Sequence, residues 1–454
     1  MSQDIDNKAL GNGGMDMLST KRLTRRLVWF ALPLMASGVV QQSFNAVDVA
    51  VVGRFVGSHA VAAVGCNGPV IGLIINLFIG IAVGANVVIA NYLGQRDNKG
   101  ASRAVSTASL LAVVCGVLMM VVGLCVADPV LRALGTPESI HEDAALYLRI
   151  FSLGLPALLI YNFASAILRS IGDTKRPFYW LVAGGVVNVC LNLLFVISFG
   201  MGVEGVAIST VVSNFISAGG VVGILLKESE PLRLKLKEMR IHGRELGKIL
   251  RIGVPAGVQG MVFALSNAFI QSGINSFGPE AMAGSAAALN FELYCYFVIS
   301  SFGQAATAFI SQNFGAGQKQ NCKRIFRRCM SLSVVSCLIL NVCFTLGRYH
   351  AVGIFIDDPV AIELGAKRME YVLFFQFIAC SYEIAGASMR ALGYSMTPMV
   401  LTILGTCLLR VFWVSTGTFA ELQDLLIIYP ITWTVTGIAV VSAYLWVARR
   451  VLRT

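Results

Sequence analysis

Apolar runs longer than the roughly 18 residues that mark a membrane span recur from one end of the chain to the other. Short segments gathering Gly, Asn, Asp, Lys and Arg separate them. The runs are too long for barrel strands, which would be about 10 residues of alternating polarity. The pattern predicts an all-α integral membrane protein with twelve transmembrane helices, over 24–52, 60–92, 104–126, 143–167, 178–199, 203–226, 246–274, 281–313, 330–349, 365–388, 398–419 and 425–447.

Composition agrees. Of 454 residues, 56% are hydrophobic and 13% charged, where a soluble domain carries about 25% charged residues. A net charge of +11 would suit nucleic acid, but its distribution does not. Most Lys and Arg fall in the tails and in alternate loops, the positive-inside pattern. It places both termini in the cytoplasm, and no nucleic-acid partner is expected. Residues 1–20 are polar and Gly-rich, predicting a disordered cytoplasmic tail, and no cleavable signal is evident. The 11 cysteines lie mostly inside apolar runs without a C-x-x-C pair, so they read as small core residues. The charged stretch KESEPLRLKLKEMRIHGRELGK (227–248) sits near the middle. It divides the chain into an N-terminal lobe (21–226), a cytoplasmic linker (227–245) and a C-terminal lobe (246–454).

The two halves repeat. LRSIGDTKRP (168–177) matches MRALGYSMTP (389–398) at a shift of 221, which also pairs Tyr161 with Tyr382 and Gly94 with Gly315. A shift of 222 pairs Pro33 with Pro255 and Asn45 with Asn267. Each half holds six spans, so both share one orientation. The expected architecture is two pseudo-symmetric six-helix lobes with a substrate path between them near the midplane. Pro33, Pro69, Pro156 and Pro255 fall within predicted spans, where each permits a bend.

Asp48 lies in QQSFNAVDVAVVGRF (41–55), about 30 Å along the first helix from Leu27. A carboxylate at a bilayer centre costs about 2.5–3.5 kcal/mol on insertion scales. Its residues alone leave two readings: an interfacial or helix-packing acid, or a functional one.

Several features together resemble the multidrug and toxic compound extrusion (MATE) family over nearly the whole chain. They are Pro33 followed by Val47 and Asp48, LRSIGDTKRP after span 4, MGVEGVAIST (201–210) opening span 6, and QNFGAGQ (312–318) closing span 8. The resemblance implies two lobes around a central cavity and export of organic, often cationic, compounds against H⁺ or Na⁺. Ion-coupling roles similar to those of relatives fall on Asp48, Asn162, Asn188, Asn192 and Thr210. The four-residue spacing of Asn188 and Asn192 puts both on one helical face. Some relatives carry an Asp where this chain has Asn192, which leaves a single carboxylate. With amide and hydroxyl oxygens it could form a Na⁺ cage at Asp48, Asn188 and Asn192, or it could titrate alone for H⁺. Pro33 is the expected hinge. The resemblance also implies a bacterial inner membrane, a monomer, lipid surroundings, and no cofactor beyond the coupling ion.

The second half has no counterpart of Asp48, whose repeat position is Ile270. It has instead Glu292, Glu383 and Arg410. Glu383 aligns with Asn162, and Arg410 lies one past the partner of Asn188. Pseudo-symmetry then predicts a Glu383–Arg410 ion pair reaching the cavity with Glu292, Tyr161 and Tyr382. Asp357–Asp358 beside Pro359 reads as a helix cap. The four histidines lack metal-ligand spacing, and no nucleotide-binding Gly-Lys loop appears. Two rivals remain. A lipid-linked oligosaccharide flippase would need a basic cavity, and Arg410 is the one clear intramembrane base. An integral membrane enzyme would need clustered catalytic acids or a metal motif.

Overall fold

A computed structural model describes residues 20–453. The expected tail therefore lies outside the described residues, apart from Thr20. The helices long and apolar enough to cross a membrane are α1 Thr20–Phe55, α2 Ser58–Gly94, α3 Asn98–Ala133, α5 Lys175–Ser198, α6 Val203–Lys227, α7 Gly243–Asn275, α8 Pro279–Gly315, α9 Lys319–Leu346, α10 Pro359–Ala391, α11 Met396–Thr416 and α12 Leu422–Val451. The twelfth span, α4, is the pair Glu138–Leu153 and Leu155–Ser170, bent by 46°. Among the described residues this gives eleven such helices, or twelve with the bent pair counted as one span, in an all-helical arrangement that matches the expectation. Most helices start before the predicted bounds; α3 exceeds them at both ends, and α9 begins early, in the basic stretch KQNCKRIFRRC.

Local chemistry explains several ends and bends. Asp97 starts α3 by accepting from Gly100 N at 2.8 Å. Asp358 starts α10 by accepting from Val360 N at 2.7 Å and Ala361 N at 3.1 Å, which is the capping role read from Asp357–Asp358. Each bond satisfies an orphan donor of a helix's first turn. The prolines divide into two kinds. Pro33 and Pro255 sit inside continuous helices. Pro69 and Pro156 instead open the second segments of α2 and α4, just after breaks at Asn67 and Gly154, where a missing N–H costs nothing. Wide π turns follow Asn192 (Leu194–Ser198) and precede Arg410 (Ile403–Leu408).

The lobes interlock through their first helices. Leu27, Phe30 and Ala31 of α1 belong to the hydrophobic core of the C-terminal lobe. Ile249 and Ile252 of α7 belong to that of the N-terminal lobe. Glycines allow the close approach. A Cβ on Gly80 or Gly84 of α2 would collide with the α7 backbone at Gly257 or Ile249. One on Gly94 would strike Gln312 of α8, and one on Gly315 would strike Asn91 of α2. The repeat pair Gly94 and Gly315 thus marks a crossing near the pseudo-twofold axis. These contacts lie between the face carrying both termini and the middle of the bundle. Beyond Gly38, whose Cβ position is filled by Phe297 of α8, α1 turns to its own lobe. These close contacts between the lobes lie along their terminal halves.

Candidate functional site

Gly185, Asn188 and Asn192 share one face of α5. Gly185 leaves room for the Phe44 ring of α1, which occupies the space a Cβ would need. Asp48 follows Phe44 by one turn, so this contact brings the carboxylate against α5. Asn192 Nδ2 donates to Asp48 Oδ1 and to Asn188 Oδ1 at 3.4 Å. Asn188 Nδ2 donates to Thr210 Oγ1 of α6 at 3.4 Å, and Thr210 Oγ1 donates to Val206 O at 3.0 Å. Four of the five residues assigned to ion coupling form one chain across α1, α5 and α6. Asn192 is wholly buried, yet its Oδ1 meets no donor among the described residues.

The fifth stands apart. Asn162 Nδ2 donates to Leu158 O of its own helix at 2.9 Å, the ordinary fate of an amide one turn along. Neighbouring Tyr161 donates to Pro177 O at 3.2 Å and so ties α4 to the start of α5.

The C-terminal lobe departs from the pairing expected there. Arg410 does not meet Glu383. Glu383 Oε1 lies 3.5 Å from Arg390 Nη2, one residue type seven positions along the same helix. Arg390 also donates to Gln259 Oε1 at 3.2 Å. Arg410 donates instead to Asn267 Oδ1 at 2.7 Å and Thr432 Oγ1 at 3.3 Å, with its guanidinium 4.3 Å from the Tyr429 ring centre. Glu292 is not a free charge either. Arg368 grips it with two bonds of 2.6 and 3.0 Å, and Gln376 donates to its carbonyl at 2.9 Å. Glu292 and Tyr382 are each 7% exposed and Arg410 not at all. In this conformation all three are buried within the lobe. Arg410 is also not the sole intramembrane base, since Arg368 and Arg390 are buried too.

Sequence reasoning missed Arg368, which falls just inside the predicted span 365–388. Arg390 had a readable signal: Glu383 and Arg390 are spaced by two helical turns. On the face carrying the termini, a cleft of about 1120 Å³ is lined by Arg26, Trp29, Lys175, Arg324, Glu228 and Gln312, among others. Nothing in the sequence announced it. Among the described residues no group of three or more His, Cys, Asp or Glu could hold a metal ion.

The MatE family model matches residues 33–194 and again 255–414, one copy for each lobe. The chain belongs to the MatE family. It is therefore a multi-pass membrane transporter, not an enzyme. This MatE chain is 26% identical to the probable multidrug resistance protein YoeA of Bacillus subtilis over 96% of this chain and 98% of that protein. It is 22% identical to the multidrug export protein MepA of Staphylococcus aureus over 75% of each. Among solved structures, an outward-facing multidrug resistance MATE family transporter of the MOP superfamily superposes with a TM-score of 0.88 at 22% identity, covering 95% of this chain and 97% of that one. An equal TM-score and identity relate it to a MOP superfamily transporter from Pyrococcus furiosus, described as having a binding pocket of reversed polarity.

Proposed function

We propose that this protein is a secondary active multidrug exporter of a bacterial inner membrane, with both termini in the cytoplasm. It exchanges organic, often cationic, compounds outward against H⁺ or Na⁺ by alternating access. The observation that carries the reading is the chain Asp48–Asn192–Asn188–Thr210, enclosed within one lobe. Asn192 gives its N–H groups to Asp48 and Asn188 while its own buried oxygen meets no donor. A carboxylate beside an unsatisfied amide oxygen suits a small cation better than a permanently structural hydrogen bond. Curated relatives named for multidrug resistance and multidrug export support the substrate class.

The proposed cycle begins with the protein open to the outside. An ion entering from outside meets Asp48 in the outer half of α1. Its binding neutralises the carboxylate and lets α1 bend at Pro33, and the lobes then rock to expose the path inward. Substrate recruits the opposite swing and the ion leaves to the cytoplasm. Asn162 is assigned a supporting place on α4 near the site. Tyr161 and Glu383, both partly exposed, remain candidates for substrate contact. Arg368 and Arg390 are balanced by Glu292 and Glu383, so they do not make the basic cavity that a lipid-linked oligosaccharide flippase requires.

Everted membrane vesicles loaded with Na⁺ or acid buffer and diluted into a bath holding a fluorescent cation test the proposal. A Na⁺ or a pH jump should drive uptake in the unaltered protein, and whichever works names the coupling ion. Asp48→Asn should abolish the driven component while leaving the protein folded. Full exchange by Asp48→Asn would remove Asp48 from the mechanism.

A further inference from the structure

The two lobes carry opposite charges at different positions of the same repeat, a carboxylate on the first helix of one and a guanidinium on the fifth of the other. At the shift of 222 that relates Pro33 to Pro255, Asn188 corresponds to Arg410, Thr210 to Thr432, and Asp48 to Ile270. The geometry follows the alignment. Asn188 donates to Thr210 at 3.4 Å in one lobe, and Arg410 donates to Thr432 at 3.3 Å in the other. Where the N-terminal lobe has Asp48 and the amide of Asn188, the C-terminal lobe has an apolar Ile and a guanidinium.

Arg410 is fully buried and stays charged. No carboxylate lies within ion-pair distance of it among the described residues. Glu292 is near enough for its charge to be felt, but both its oxygens are held by Arg368. Two donors in this pocket remain unused. Arg410 Nη2 and Trp433 Nε1 are buried and reach no acceptor among the described residues. The guanidinium carbon is 6.0 Å from the Trp433 ring centre, so the two groups are neighbours in one buried pocket. Phe263, at 5.4 Å, and Tyr429, at 4.3 Å, add ring contacts to the cation. Rings ease a buried cation's loss of water but do not cancel its charge.

We propose that the C-terminal lobe holds a site for one compact monoanion, bound by Arg410 Nη2 together with Trp433 Nε1. Two sources share this chemistry: a halide from solution, or the carboxylate of a zwitterionic or anionic substrate. The site stands on the C-terminal lobe alone, so it survives if coupling at Asp48 fails.

Thermal unfolding of the full-length protein in detergent tests it. Sodium chloride, sodium bromide and sodium acetate are titrated against a bulky sulfonate salt at fixed sodium concentration and ionic strength. A saturable rise in Tm with at least one of the three is expected. Trp433→Phe keeps the aromatic packing and removes one donor, so the half-saturating concentration should rise about tenfold, the usual worth of a hydrogen bond to a charged group. Arg410→Met should abolish saturation. Should that variant fail to fold, Trp433→Phe decides alone. Effects of chloride and bromide without acetate assign a halide, and bromide crystals should then show an anomalous peak beside Arg410. A stronger effect of acetate assigns a substrate carboxylate. No saturable response in the unaltered protein, or one unchanged in Trp433→Phe, overturns the proposal.

Discussion

At Asn192 the direction of the hydrogen bonds matters more than their number. Its Nδ2 serves Asp48 and Asn188, leaving a buried oxygen free. Asn192→Leu should remove that ligand and the Asp48 partner together. Ion affinity, read from the ion concentration giving half-maximal transport, should fall by about ten- to a hundredfold, for a loss of roughly 1.5–3 kcal/mol. The Glu292–Arg368 pair makes a different prediction. Arg368→Met leaves a buried carboxylate alone and should cost about 3–5 kcal/mol of stability. The double variant Glu292→Leu with Arg368→Met should recover most of it, measured by unfolding in detergent. Such recovery would mark the pair as structural. Family resemblance, not local pattern, singled out Asp48, Asn188 and Asn192, and the structure joins the three by hydrogen bonds. Neither found Arg368, which lies close to a span boundary. Whether a charge there faces lipid headgroups or a buried glutamate 76 positions away depends on packing between α8 and α10, which no local pattern encodes.

At the scale of the helix, α1 does two jobs. Its first turns pack in the opposite lobe's core, and its later turns hold Asp48 against α5. Pro33 sits between them. It lacks an N–H, so the helix is weakest there. Pro33→Ala should stiffen α1 and slow transport about tenfold without weakening ion binding, given the roughly 3 kcal/mol that a helix-interior proline costs. A matched loss of ion affinity would speak against a hinge. Gly94 belongs to the other kind of element, the crossing of α2 and α8. Gly94→Val leaves no room for the Gln312 carbonyl. It should destabilise the described conformer by about 1–3 kcal/mol or more and widen the distance between spin labels on the terminal ends of α2 and α8. The repeat pairing of Gly94 with Gly315 was visible in the sequence. Their collision-range approach was not, since it requires knowing that the two helices cross.

Across the whole molecule, the lobes share an ancestry in sequence and differ in charge. The N-terminal lobe carries an acid beside amides, and the C-terminal lobe two balanced ion pairs and a third arginine. Hydropathy was enough for the membrane-spanning helices, because it is a long-range average, while the repeat needed the register of matched motifs and agrees with the two copies of the family model. The Glu383–Arg410 pairing expected from pseudo-symmetry failed because the repeat preserves backbone shape, not side-chain partners. Energetically, one charge crossing 100 mV supplies about 2.3 kcal/mol, enough for roughly a fortyfold gradient. One H⁺ or Na⁺ exchanged for one monovalent cation moves no net charge, so only the ion gradient would then drive export. The most direct measurement is cation release from purified protein in weak buffer when a transported organic cation is added, followed with a pH dye or a Na⁺-selective electrode. The account predicts release of about one cation per protein at saturation, and none from Asp48→Asn that still binds the compound. Equal release from that variant would contradict the claim that Asp48 carries the coupling ion.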